Sequence, residues 1–193
     1  MPDAAPALSS GTFESAASVD GVAEAPGGEP GYRHTNWVGE RFDDAWVKFK
    51  VEEVLAHDVL LIGRVTYESF VAAWPYREGP IADKFNAMPK YVASRTLKTA
   101  DWNNTTVLQG DALDAVAALK RQVSGEILVH GSRTLVNGLK ARGLVDEYRL
   151  MIFPVVLGSG KRLFDEVEDA LPLTLVSAQS FPNGVLMVTY RPT

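Results

Sequence analysis

The sequence contains no cysteine, which excludes disulfide bonds, cysteine-ligated zinc and thiol catalysis. Its three histidines, His34, His57 and His130, show no metal-ligand spacing, so we predict no metal site. A formal net charge of −5 argues against sequence-independent nucleic-acid binding, which needs basic patches. No apolar run is long enough to span a bilayer, and no basic region precedes an apolar core at the N-terminus. We therefore expect a cytoplasmic protein without a nucleic-acid or membrane partner.

The composition is that of one globular domain. A chain of 193 residues that is 46% hydrophobic and 22% charged can bury a sizeable core. Residues 1–9 are rich in alanine, proline and serine, so we predict a flexible tail there and a single domain over residues 10–193. Residues 20–39 carry the turn signals Pro26-Gly27 and Pro30-Gly31, and a turn-rich segment of this length is typical of a lid or binding loop.

Short apolar runs alternate with segments of helical periodicity along most of the chain. The predicted strands are 59–62, 90–94, 105–108, 126–130 and 148–153, and the predicted helices between them are 64–73, 82–87, 112–123 and 132–142. A helix beginning near Phe42 precedes them, and a hairpin around Pro182-Asn183-Gly184 follows. The pattern predicts an α/β fold with a mostly parallel central sheet, helices on both faces and a C-terminal antiparallel hairpin. A strand at 12–17 is only weakly indicated, because its residues are small and polar.

Glycine, hydroxyl and arginine residues follow three of the predicted strands. They are Gly63, Arg64 and Thr66 after one strand, Ser94, Arg95 and Thr96 after the next, and Gly131, Ser132, Arg133 and Thr134 after a third. Ligands of open α/β sheets bind outside the carboxyl ends of the strands, so we expect these residues to face one ligand. Helix N-termini, hydroxyls and arginines suit a dinucleotide that bears an extra phosphate. The glycine fingerprint of Rossmann folds is absent from the sequence.

These motifs, with residues 154–164, resemble the dihydrofolate reductase-like family. The similarity extends from about Ser18 to the C-terminus and is greatest to the branch named after the reductase half of the bifunctional riboflavin-biosynthesis deaminase–reductase. It implies an NADPH-dependent reductase that transfers hydride to a small heterocyclic (pterin- or pyrimidine-like) or carbonyl substrate. The alternatives are a 5-amino-6-(5-phosphoribosylamino)uracil reductase, a dihydrofolate reductase and a non-catalytic NADPH-binding protein.

The resemblance also implies residue roles and an assembly. Arg64, Ser94 and Arg95 would surround the 2′-phosphate of NADPH. Thr66, Gly131 and Ser132 would hold its diphosphate. A homodimer is expected from the resemblance and from the apolar residues 185–188 in the hairpin.

The sequence offers more than one candidate for the proton donor and for the residues that contact the substrate. Reduction of C=N or C=O needs a proton on the heteroatom. Asp20 and Asp44 are the candidate catalytic acids. A turn before Gly21 explains Asp20 equally well, and helix capping is the favoured interpretation of Asp43 and Asp44. For the substrate pocket we predict two aromatic residues, Trp37 and Tyr67. The residue preceding Gly131 is a histidine, which faces either the cofactor or the core.

Overall fold

The computed structural model describes residues 9–39, 41–165 and 170–193, so most of the predicted tail lies outside the described residues. The strands are β1 (Gly11–Ser18), β2 (Val59–Gly63), β3 (Lys90–Ala93), β4 (Thr105–Leu108), β5 (Ile127–His130), β6 (Glu147–Phe153), β7 (Leu173–Ser180) and β8 (Leu186–Pro192). The α-helices are α1 (Asp44–Ala56), α2 (Arg64–Val71), α3 (Pro80–Ala87), α4 (Ala112–Gln122) and α5 (Arg133–Ala141), with a single 3₁₀ turn at Trp74–Tyr76.

The strands form one eight-stranded sheet in the order β4-β3-β2-β5-β1-β6-β8-β7. The six strands from β4 to β6 in this order are parallel. β8 pairs antiparallel with β6, and β7 pairs antiparallel with β8 at the edge. The mostly parallel sheet and the C-terminal antiparallel hairpin are therefore confirmed. The carboxyl ends of β1, β2, β3 and β5 consequently share one edge of the sheet.

Helices cover both faces of this sheet, as predicted. On one face, α4 and α5 bury Val116 and Leu139 in a cluster with Phe13 of β1. On the other face, α3 buries Phe85 against Ile62 of β2, and α1 and α2 contribute to the same cluster. Removing each of these side chains from water stabilises the fold by about 1.5–3 kcal/mol. The apolar alternation of the sequence thus accounts for the layered core.

β1 lies at the centre of the sheet, between β5 and β6, although its sequence only weakly predicts a strand. Phe13 and Ala17 face the cluster beneath α4 and α5. Glu14 on the opposite face is fully buried, and its Oε1 lies 3.1 Å from Lys50 Nζ of α1. Charge pairing with a helix distant in sequence therefore compensates for the polar character of the strand, and hydrophobic periodicity cannot report such a pairing.

Candidate active site

The ends of β2 and β5 meet through Ser132. Its hydroxyl oxygen accepts a hydrogen bond from Gly63 N at 2.8 Å and lies 3.0 Å from Thr66 Oγ1. Gly131 has a φ of +54°, a conformation that favours glycine, and a β-carbon there would lie 3.6 Å from Thr66 Oγ1. The structure therefore brings together the residues that follow two separate strands in the sequence.

Two helices begin at this junction with free N-termini. Neither α2 nor α5 has a side-chain cap among the described residues. By contrast, Asp43 caps α1 and Asp111 caps α4. The first N–H groups of α2 and α5 carry partial positive charge and remain available to a ligand. Two such N-termini side by side fit an anion such as a diphosphate.

The end of β3 lies beside this junction. Ala93 of β3 pairs with Gly63 of β2, which places the following Ser94 near the start of α2. Ser94 Oγ accepts hydrogen bonds from the backbone N–H groups of Thr96 (3.2 Å) and Leu97 (2.9 Å), so it shapes a turn. Arg95 and Thr96 in this turn are exposed. The third predicted strand end thus adjoins the other two.

Arg64 and Arg133 each pair with a carboxylate of the chain. Arg64 Nη1 lies 2.7 Å from Glu68 Oε1, and the two side chains are 45% and 50% exposed. An exposed pair of this spacing contributes only about 0.3–0.5 kcal/mol, so Arg64 can exchange Glu68 for a phosphate at little cost. Arg133 at the start of α5 pairs with Asp165, and Thr134 beside it is exposed.

The side chain of Asp20 links two loops through hydrogen bonds. Its carboxylate accepts hydrogen bonds from Ser18 Oγ (2.7 Å) and from the backbone N–H groups of Leu157 (3.1 Å) and Gly158 (2.8 Å). The Ser18 hydroxyl and these two N–H groups together lower the pKa of Asp20 to about 2. Asp20 is therefore ionised at neutral pH and poorly suited to donating a proton.

Asp43 and Asp44 at the start of α1 differ in their hydrogen bonds and in their exposure. Asp43 is the N-cap: its Oδ1 accepts from Trp46 N at 2.8 Å, and its Oδ2 accepts from Asn183 N at 2.9 Å. The capping interpretation of Asp43 is therefore confirmed, and this residue also ties the β7–β8 hairpin to α1. Asp44 follows it in the first turn and is exposed.

The two aromatic candidates for the substrate pocket also differ. Trp37 is half-buried, donates from Nε1 to Glu24 O at 2.9 Å and packs edge-on against Phe153 at 5.6 Å between ring centroids. Tyr67 is only 5% exposed, and its hydroxyl accepts a hydrogen bond from Asp101 N at 3.1 Å. The structure thus places Tyr67 in the core beneath α2, where it packs instead of facing a ligand.

A buried charged group that sequence reasoning missed lies directly behind the junction. Glu14 contacts both Lys50 and the Nδ1 atom of His130, the residue that precedes Gly131. His130 was considered from the sequence, but its partners Glu14 and Lys50 were not. A glutamate within a short predicted strand is the signal that could have found them, because buried charges are rare unless paired.

Two further observations concern metal binding and membrane insertion. Nowhere in residues 9–39, 41–165 and 170–193 do three histidine, aspartate or glutamate side chains come close enough to hold a metal ion. Among the helices of the same ranges, none has the length and apolar character to cross a bilayer.

The sheet order and the helices on its faces are those of the dihydrofolate reductase-like fold. Dihydrofolate reductase from Enterococcus faecalis, complexed with NADP(H), has a TM-score of 0.63 at 15% identity over 95% of this chain and 96% of that one. A protein from Shewanella sp. PV-4 with a suggested role in riboflavin biosynthesis has a TM-score of 0.73 at 20% identity, over 95% and 99% of the respective chains. These similarities confirm the predicted fold.

Sequence similarity identifies the family within this fold. The model of the RibD C-terminal domain matches residues 10–187, so the chain belongs to that family. The uncharacterized protein YyaP of Bacillus subtilis (strain 168) is 34% identical over 139 residues, which are 69% of this chain and 73% of YyaP. The family resemblance noted from the strand-end motifs is thereby confirmed.

Proposed function

We propose that this protein is an oxidoreductase that uses NADPH to reduce a small heterocyclic or carbonyl substrate. The observation that carries the proposal is the junction of the uncapped N-termini of α2 and α5, linked by Ser132 to Gly63 and Thr66. Membership of the RibD C-terminal domain family and the NADP(H) complex of a structural relative support the same assignment.

The residues of the junction fit the phosphates of the cofactor. Thr66, Gly131 and Ser132 would hold the diphosphate through hydroxyl and backbone N–H donors. Arg64 at the start of α2 and Arg95 in the turn after β3 would receive the 2′-phosphate, together with Ser94 of the same turn. A dianion favours such paired guanidinium donors. When bound, NADPH supplies the hydride, and the chain orients the substrate and provides the proton.

Cofactor preference tests this proposal directly. We expect NADPH to bind more tightly than NADH in a fluorescence titration, because only NADPH can use Arg64 and Arg95 fully. Arg95→Ala should weaken NADPH binding by about 5- to 150-fold, corresponding to about 1–3 kcal/mol for charged hydrogen bonds, and leave NADH binding nearly unchanged. Arg121→Ala, an exposed arginine at the end of α4, is the matched control and should change neither. Equal dissociation constants for the two cofactors would overturn the 2′-phosphate assignment.

The substrate class is tested with a panel under saturating NADPH. Dihydrofolate represents a pterin C=N bond, 5-amino-6-(5-phosphoribosylamino)uracil represents the pyrimidine class, and benzaldehyde represents a simple carbonyl. Loss of NADPH absorbance with one of them identifies the class of substrate. Tight NADPH binding with no turnover of any of the three would instead favour a non-catalytic NADPH-binding protein.

A further inference from the structure

His130 ends β5 and directly precedes the Gly131-Ser132 turn of the proposed cofactor site. Its side chain is 26% exposed, whereas Glu14 on the neighbouring strand β1 is fully buried. The parallel pairing of β1 and β5 sets Glu14 opposite His130, and Glu14 Oε2 contacts Nδ1 of the imidazole. One nitrogen of the ring therefore faces a buried carboxylate.

Charges from three elements surround this carboxylate. Lys50 of α1 lies 3.1 Å from Glu14 Oε1 and also pairs with Glu53, which in turn lies 3.6 Å from Arg149 of β6. Burial alone would raise the pKa of Glu14, but His130 and Lys50 outweigh it and lower that pKa to about 2. Both buried oxygens of Glu14 are occupied, since Oε1 faces Lys50 and Oε2 faces Nδ1 of His130.

The other side of the imidazole is apolar. The rings of Phe70 on α2 and Phe85 on α3 lie 5.2 and 6.4 Å from the His130 ring, between centroids, and bring no charge. Nδ1 is buried against Glu14, and Nε2 makes no hydrogen bond to the described part of the chain. Because Nδ1 is buried, the 26% exposure of the His130 side chain falls on its other atoms, where a ligand can reach the ring.

We propose that His130 is the proton donor of the reduction, with Glu14 as its positioning residue. This inference rests on the proposed function. As hydride from the reduced nicotinamide adds to the carbon of a C=N or C=O bond, the π electrons move to the heteroatom. That atom takes the proton from Nε2 of the imidazolium, which becomes neutral imidazole and is reprotonated by solvent after product release. Glu14 remains ionised throughout, since it keeps the Nδ1 proton on the ring and stabilises the imidazolium.

The surroundings of His130 suit a proton donor, whereas those of Asp20 and Asp44 do not. The carboxylate of Asp20 already accepts three hydrogen bonds within the loops, and Asp44 is an exposed residue at the start of α1. His130 alone of these lies adjacent to the junction where two helix N-termini converge. A general acid must reach the reacting atom before its acidity matters.

The first experiment replaces the donor. His130→Gln should lower kcat by about 100-fold or more and leave the NADPH dissociation constant within a factor of two. In the wild-type protein, kcat should fall with rising pH along a one-proton curve, and this dependence should vanish in the variant. Arg121→Ala is again the control, because Arg121 is an exposed residue at the end of α4. Its pH profile should match that of the wild type, and melting curves should show that both variants are folded.

The second experiment tests the positioning role. Glu14→Gln removes the carboxylate beside Nδ1 of His130, so the pH profile of kcat should move to lower pH. A residue that only maintained structure would lower the amount of active protein without moving the profile. Because a buried variant can fail to fold, NMR of the wild-type ring nitrogens provides a second measurement. Nε2 should lose its proton as pH rises while Nδ1 retains it.

The outcomes separate the two proposals. If the wild-type protein oxidises NADPH but His130→Gln keeps its kcat and pH profile, the inference fails and the proposed function stands. Loss of the Nδ1 proton before the Nε2 proton would also overturn the inference. If the wild-type protein does not bind NADPH, or binds it without turning over any member of the panel, the proposed function fails and the proton-donor role fails with it.

Discussion

Asp20 shows how one carboxylate can join segments that are distant in the sequence. It lies just beyond β1 and bonds to the backbone of Leu157 and Gly158, which belong to the loop after β6. Both loops follow neighbouring parallel strands and therefore lie at the edge of the sheet that carries the candidate site. The residue is better explained as an anchor for these loops than as an acid.

Asp20→Asn should destabilise the fold at neutral pH, because an amide is a weaker acceptor for these donors than a carboxylate. The pKa of Asp20 is about 2 in the folded protein and 3.8 in a model compound. A lowered pKa contributes stability that is fully present above the unfolded value and is lost as pH falls through the folded value. The difference in free energy of unfolding between wild type and variant should thus be constant above pH ~4 and shrink toward pH ~2.

Urea denaturation at several pH values measures this difference. Asp101→Asn, which changes an exposed aspartate, serves as the control and should follow the wild-type curve. A constant difference between wild type and Asp20→Asn down to pH ~2 would contradict the anchoring role of the ionised carboxylate.

At the scale of elements, the helices fall into two groups by the way they begin. α1 and α4 begin at aspartate caps, which satisfy N–H groups within the chain. α2 and α5 begin at Gly63 and Ser132, which do not cap them. α3 also begins without a side-chain cap, at Gly79, but it does not follow a strand. α2 and α5 both follow strands, and the proposed function places the phosphates of the cofactor at their N-termini.

Asp111→Ala should test the capped group. Loss of the hydrogen bonds that Leu113 N and Asp114 N donate to Asp111 Oδ1 should cost about 1 kcal/mol of folding stability. NADPH affinity should stay unchanged, since α4 does not begin at the junction. Thermal unfolding together with the NADPH titration measures both quantities, and a fall in affinity would argue against the separation of the two helix groups.

Ser132→Ala should test the uncapped group. The substitution leaves Gly63 N and Thr66 Oγ1 without their partner, which should cost about 1–2 kcal/mol of stability. Because it also loosens the contact between the two helix N-termini, the NADPH dissociation constant should rise by about 10-fold, or ~1.4 kcal/mol. Ser124→Ala, in the exposed segment between α4 and β5, is the matched control. An unchanged NADPH affinity in Ser132→Ala would show that the junction does not hold the diphosphate.

At the scale of the whole molecule, β4 and β7 are the two edge strands of the sheet, and β7 is the edge that exposes large apolar side chains. The hairpin residues behind the homodimer expectation do not form this edge, because Val185, Met187 and Val188 are buried in the chain itself. Leu175 and Val176 of β7 are instead 55% and 47% exposed. An apolar edge strand invites pairing unless it is covered, so the homodimer stays a prediction, with β7 as its expected contact.

Light scattering at micromolar concentration should give twice the 21.0 kDa of the chain. Val176→Asp should shift this mass to that of the monomer, because a charge on the edge strand opposes pairing. Val47→Asp, which places the same charge on the exposed face of α1, should leave the dimer intact. A wild-type mass of 21.0 kDa would contradict the prediction.

The sequence by itself determined the alternation of strands and helices and the residues that end the strands. Apolar runs such as 59–62 followed by glycine report local structure, and all predicted elements beyond β1 lie within two residues of the observed ones. The convergence of Gly63, Ser94 and Gly131 also follows from sequence, because the carboxyl ends of parallel strands share one edge.

Only the tertiary structure decided which polar residues serve the core and which face a ligand. Tyr67 packs beneath α2, Asp43 is a cap and Asp20 is an anchor, because partners distant in sequence occupy their polar atoms. Glu14 forms part of a central strand because Lys50 and His130 contact its carboxylate there. Hydrophobic periodicity registers contacts within a few residues, whereas these interactions join separate strands, helices and loops that approach one another only after folding.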